Sequence, residues 1–227
     1  MESFADKVIK FNRALPSSIK LPAGIKLLQP YLTAETLRLS ESFYKKFYND
    51  NNKRILIFGI NPGRYGAGIT GIAFTDPVNL KQHCGIENDL PQKHELSSVF
   101  VYKVIDSLNG VNYFFRNFYL TAVCPLGFIR KNKNLNYYDD KKLEARVTPF
   151  ITESIKAQLE FGVEKDFCFC WGEGKNFLFL NNLNRKHQWF KRIISLPHPR
   201  WIMQYRRKKV DEYVEIFRNA LTQSPGT

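Results

Sequence analysis

Four short runs along the chain are apolar without a polar alternation: residues 54–58 (RILIF), 117–123 (NFYLTAV), 166–171 (DFCFCW) and 191–196 (KRIISL). Each is rich in Ile, Val, Phe or Tyr and gives way to Gly- or Pro-bearing sequence, the pattern of strands buried on both faces. Between them the apolar period changes to that of a helix. Residues 95–108 place Leu96, Val99, Phe100, Val104 and Leu108 on one face and stop at Asn109-Gly110, a C-terminal signal. Thr148-Pro149 reads as an N-cap with Pro at the first helical position, opening a helix to about Phe161. Shorter or later helices are expected over 174–183 and 206–221, and two more, over 2–15 and 34–48, precede the first strand.

Strands alternating with helices predict an α/β fold: a three-layer α/β/α sandwich around a central four-stranded, mostly parallel sheet. At 227 residues the chain suits one domain over 1–227, with an N-terminal helical part (1–50) and an α/β core (54–222). Only the tail, 223–227, is expected to fray. In such sheets ligands bind beyond the carboxyl ends of the strands. Two unusual loops leave such ends, Gly59-Ile60-Asn61-Pro62-Gly63-Arg64-Tyr65-Gly66 and Pro197-His198-Pro199-Arg200-Trp201, so the fold should bring them to one rim.

Composition adds a partner. Lys and Arg outnumber Asp and Glu by 34 to 21, a net charge of +13, which suits a polyanion such as DNA, RNA or an acidic membrane surface. There is no signal peptide and no apolar stretch long enough to span a bilayer, so an intracellular protein working with the chromosome is expected. Cys84, Cys124, Cys168 and Cys170 lack metal-ligand spacing and read as buried thiols; no metal or other cofactor is called for.

The first loop is Gly-rich, yet it has neither the Gly-Lys-Ser/Thr of a Walker loop nor a G-x-G-x-x-G opening a helix. Its residues Gly59, Asn61, Pro62, Gly63, Gly66, Thr70, Gly71 and Phe74 match, without a gap, the pattern G-M-N-P-G-P-F-G…T-G-x-P-F. On this basis the chain resembles the uracil-DNA glycosylase superfamily, in particular its single-strand-selective monofunctional branch and a divergent bacterial-type subgroup of it. His198-Pro199 fits the start of that family's H-P-S-P-R motif, with Arg200 two residues early. The resemblance implies a cofactor-free enzyme acting on DNA as a monomer. Asn61 would position the attacking water, and His198 would hydrogen-bond O2 of the departing base. Phe74 would stack on that base, with Ile60, Pro62, Gly63, Tyr65 and Ala122 around it. Pro199, Arg200, Trp201, Arg206 and Arg207 would meet DNA, Arg200 or Trp201 filling the hole left by the flipped nucleotide. Asp76 is the one carboxylate beside the first motif that could assist.

One departure bears on specificity. Thr121-Ala122-Val123-Cys124-Pro125-Leu126 resembles the family's N-x-C-P-L segment, but Ala122 stands where the family's Asn reads the base. Thr121, a backbone group or another loop would have to replace that amide, and broader selectivity, reaching 5-substituted uracils or deaminated purines, is the expectation. No Lys lies in residues 59–76 to form a Schiff base, so strand cleavage is not expected. The competing readings are a catalytically weak module binding damaged or single-stranded DNA, and an α/β enzyme acting on a small nucleobase or nucleotide. The Lys/Asn-rich segment 130–136 carries none of the resemblance.

Overall fold

A computed structural model of the protein describes residues 2–223; residues 224–227 of the tail expected to fray lie outside them. In chain order the elements are α1 (Phe4–Arg13), β1 (Ile25–Leu28), α2 (Ala34–Phe47), β2 (Ile55–Gly59), α3 (Ala67–Thr70), α4 (Pro77–Gln82), α5 (Leu96–Ser107) and α6 (Gly110–Asn117). There follow β3 (Phe118–Ala122), β4 (Gly127–Arg130), β5 (Lys133–Leu135), α7 (Lys141–Leu159), β6 (Phe167–Trp171), α8 (Lys175–His187), β7 (Arg192–Leu196), α9 (Pro199–Tyr205) and α10 (Val210–Thr222).

The four apolar runs form one sheet of order β3-β2-β6-β7, parallel at each pairing, and the expected α/β/α sandwich is the observed fold. The register sets the two faces. Tyr119 and Thr121 point to one side, where Tyr119 meets Phe4 of α1 edge-on and Thr121 donates to Gln158 of α7. Phe169 and Trp171 point to the other, where Trp171 packs on Phe217 of α10, itself against Phe100 of α5. Burial on both faces explains why the strands read as unbroken apolar runs. Arg54, at the head of β2, has no solvent exposure. Its guanidinium lies against the stacked rings of Phe4 and Tyr48, forks onto Asp50 and donates to the carbonyls of Phe47, Asn52 and Phe115. A buried charge is tolerable only with such complete pairing.

Three expectations are corrected. The N-terminal part is not only helical: β1 pairs antiparallel with β4, and β4 with β5, in a second three-stranded sheet. The helix expected to be capped by Thr148 begins eight residues earlier, capped by Asp140, whose carboxylate accepts from the N–H groups of Lys142 and Leu143. Leu143 and Val147 continue the buried stripe of Ile151, Ile155 and Gln158, so packing carries the helix through Pro149. The last helix, expected over 206–221, begins four residues later as α10, and a separate short helix precedes it. Pro199 starts α9, Arg206 breaks it, and a 3-10 turn over Arg207–Lys209 leads into α10.

Pro149 is exposed and lies inside α7, where an interior proline forfeits a backbone hydrogen bond and costs roughly 3 kcal/mol relative to alanine. Pro149→Ala should therefore stabilise the protein by about 1–3 kcal/mol in denaturant unfolding; a lowered midpoint would show that the packing depends on the proline's bend.

Candidate active site

Both unusual loops open on one cavity of about 740 Å³ at the carboxyl edge of the parallel sheet. Asn61 follows β2 by two residues, and its amide is held from outside that sheet. Oδ1 accepts from the backbone N–H of Tyr137 at 3.2 Å, and Nδ2 donates to the carbonyl of Leu135 at 3.3 Å and of Pro62 at 3.4 Å. The demands of Tyr137 and Leu135 fix which end of the amide is oxygen, and the second lone pair of Oδ1 remains to orient a water. The segment 130–136 is thus part of the site after all. The β4–β5 hairpin and the residues after it wrap the cavity with Lys133, Asn134, Asn136 and Tyr138.

Phe74 ends the first motif at φ +55°, a left-handed conformation uncommon for a non-glycine residue. Its ring lies where a side chain at Gly59 would be: a methyl there would sit 2.6 Å from the ring. The same ring meets Trp171 of β6 edge-on at 5.4 Å and the His198 imidazole at 5.9 Å. Thr70 fastens the turn, donating to the Thr75 carbonyl at 2.7 Å and accepting from the N–H of Ile72.

His198 is the N-cap of α9, and its Nδ1 accepts from the N–H of Arg200 at 3.1 Å. Pro199 supplies the first helical residue, where its missing N–H costs nothing. With Nδ1 used as an acceptor, the neutral ring carries its proton on Nε2. Burial lowers the imidazole pKa from its usual 6.5 to about 4, and the nearby Arg200 charge acts in the same direction.

Ile60, Asn61, Pro62, Gly63, Tyr65, Phe74, Ala122, His198, Arg200 and Trp201 all line the cavity, so the expected residues converge on it with three exceptions. Pro199 is buried and serves to start α9, not to touch a partner. Arg206 and Arg207 stand outside the cavity on the surface beside it. The Arg206 guanidinium lies 4.8 Å over the ring of Trp201, which is 39% exposed. Asp76 is corrected as well. It is fully buried, caps α4 through the Asn79 N–H and accepts from the Glu95 N–H, and it does not reach the cavity. The carboxylate that does is Glu95, whose side chain lies against Gly63 and Gly66. Burial raises its pKa, Ser97 and the Arg200 charge oppose the rise, and Asp76 adds to it. Nothing in its sequence neighbourhood marked Glu95, because it comes from the start of α5, far from either motif. Thr121 does not replace the missing amide at Ala122: its hydroxyl donates to Gln158 at 2.6 Å.

Phe74, the Asn61 amide and the His198 ring share this cavity, under a rim that carries Arg200 and Trp201. A cavity beyond the carboxyl ends of a parallel sheet is where enzymes of this architecture bind their ligands. The chain belongs to the uracil DNA glycosylase superfamily, whose family model matches residues 45–222. It is also similar, over all of both chains, to the crystal structure of wild-type SMUG2 from Pedobacter heparinus, with 44% identity and a TM-score of 0.95. The sequence resemblance to the single-strand-selective branch agrees with that likeness, which extends through the N-terminal part that carried no motif. A comparison with curated proteins gave no match.

The His198 geometry makes a spectroscopic prediction. Ring nitrogen shifts measured near pH 6 should report a neutral imidazole protonated on Nε2, with titration only as the pH falls to about 4. Protonation near 6.5, or an Nδ1–H tautomer, would contradict the cap that orients the ring.

Proposed function

We propose that the protein hydrolyses the N-glycosidic bond of uracil or related deaminated or 5-substituted bases in DNA, initiating base excision repair as a monomer and without a cofactor. The observation that carries the reading is that Asn61 and His198 line one cavity together with the ring of Phe74, which lies against His198 and is suited to stack on a flipped base. The glycosidic bond breaks with its electron pair leaving on the base. The Nε2–H of neutral His198 donates to O2, where the negative charge develops. A water held by Asn61 Oδ1 attacks the oxocarbenium-like sugar, so positioning rather than strong base catalysis is required of the amide. Arg200, Trp201, Arg206 and Arg207 form the rim that meets the DNA backbone and the gap in the stack.

The test is release of base from a uracil-containing oligonucleotide, read by alkaline cleavage on a gel. Asn61→Ala should slow release by roughly 10²-fold or more, and His198→Ala by about 10²- to 10³-fold, the loss of one donor to a developing anion. Without alkali the strand should stay intact, although Lys133 brings an amine to the cavity that residues 59–76 lack. Wild-type rates in both variants would reject the assignment. Retained DNA binding with no product would favour the non-catalytic module.

Ala122 leaves the cavity wall without the family's reading amide, and the cavity also reaches Asn12, Tyr31, Tyr44 and Tyr119, beyond what a pyrimidine fills. Asn12 Nδ2 is buried there with no hydrogen-bond partner among the described residues, which favours a polar occupant. Release of uracil, 5-hydroxymethyluracil, hypoxanthine and cytosine should accordingly differ less than a strict uracil reader would allow. Strict preference for uracil defeats this part of the reading.

A further inference from the structure

The family's reading amide is absent at Ala122, yet an amide in the cavity stands beside Asn61. Asn136 is the residue between the two groups that hold the Asn61 side chain, the Leu135 carbonyl and the Tyr137 N–H. Its backbone is fixed: its N–H donates to Asp139 Oδ2 at 2.9 Å, and its carbonyl accepts from the Asp139 N–H at 3.0 Å. Its half-buried side chain lines the cavity and makes no hydrogen bond to any described residue.

Several other polar groups nearby are engaged. Asn134 Oδ1 accepts from the Arg64 N–H, and the Thr121 hydroxyl is given to Gln158. The Gly59 carbonyl accepts from Val123 N–H and Asn176 Nδ2, and the Ile60 carbonyl from Cys124 N–H. Gln204 is exposed, on α9. Among the described residues of the cavity wall, Asn136 combines a free acceptor and a free donor with a place next to the Asn61 amide.

We propose that Asn136, set between the two backbone clamps of Asn61, reads the imide edge of the extruded base. The inference rests on the glycosylase reading above. A uracil-type edge presents an N3–H donor beside an O4 acceptor; the amide Oδ1 accepts from the first while Nδ2 donates to the second, two complementary bonds from one side chain. Unlike Asn61, this amide has no neighbour that fixes which end is oxygen. Turned over, it also matches the N3 acceptor and N4 amine of cytosine. Asn136 therefore supplies affinity for an imide and only weak rejection of its alternatives, which fits a broad reader.

The experiment compares kcat/KM for oligonucleotides carrying uracil and 3-methyluracil, which lacks the N3–H. The wild-type protein should favour uracil. Asn136→Ala should lower the uracil value by roughly 10- to 100-fold, the range expected when a buried polar edge loses its partner, and change the 3-methyluracil value about 2-fold or less. Asn136→Asp keeps the size of the side chain but, ionised, cannot donate to O4, and should likewise lower the uracil value. Both variants should bind abasic-site DNA as the wild type does, since no base is present to be read. An equal loss on uracil and 3-methyluracil, or no change on either, overturns the role of Asn136 while leaving the enzyme a glycosylase. A wild-type protein that releases neither base overturns the parent reading and this one with it.

Discussion

The ring of Phe74 occupies the space that a side chain at Gly59 would fill, and from there it touches Trp171 and His198. One ring thus spans the carboxyl ends of β2 and β6 and the turn after β7, and it sets the distance between the loop that carries Asn61 and the loop that carries His198. Holding a non-glycine residue at φ +55° costs on the order of 1–3 kcal/mol. The surrounding contacts offset it: the Thr70 hydroxyl fixes the turn on either side, and the aromatic faces of Trp171 and His198 accept the ring. Were Gly59 to carry even a methyl group, the ring would have to move, and the floor of the cavity and the seat of the imidazole would move with it.

Charge is distributed against this floor in a consistent way. The chain carries +13, but the groups inside the cavity are pushed by burial toward their neutral forms, the His198 pKa downward and the Glu95 pKa upward. Arg200 stands at the mouth beside the Trp201 ring, on which Arg206 is stacked. Positive charge at the rim attracts a polyanion over distances of about a Debye length. Arg54, the one fully buried cation among the described residues, lies at the opposite end of β2, where Asp50 and three backbone carbonyls satisfy it away from the cavity.

The parallel sheet was legible because each of its strands is buried on both faces and so carries an unbroken apolar run. The rule that sites lie at the carboxyl ends of such strands then placed both loops correctly. The second sheet was not legible for the converse reason. Its strands are three or four residues long, and β5, Lys-Asn-Leu, is polar enough to read as a loop. Proline misled at α7, where a local start signal was overridden by the buried stripe from Leu143 and Val147. Asn61, Phe74 and His198 were found because their motifs are contiguous. Glu95, Asn134 and Asn136 were missed because they reach the cavity by tertiary folding, from segments with no pattern of their own.

That division has a consequence for how such a site can change. The parallel sheet carries Asn61, Ala122 and, through β7, His198, and its buried strands tolerate little alteration. The second sheet seats against the same loop: a methyl at Gly127 would collide with the Pro62 carbonyl and with Leu28 of β1. From this close seat the chain after β5 holds the Asn61 amide by two backbone groups while presenting the side chain of Asn136 to the cavity. Because backbone does the holding, side chains on that segment can vary without releasing Asn61. In the proposed reading the chemistry and the choice of base thereby fall to different parts of one short segment, main chain for the first and side chain for the second. Loss of the reading amide at Ala122 can then be met from the hairpin without disturbing the water-orienting amide beside it.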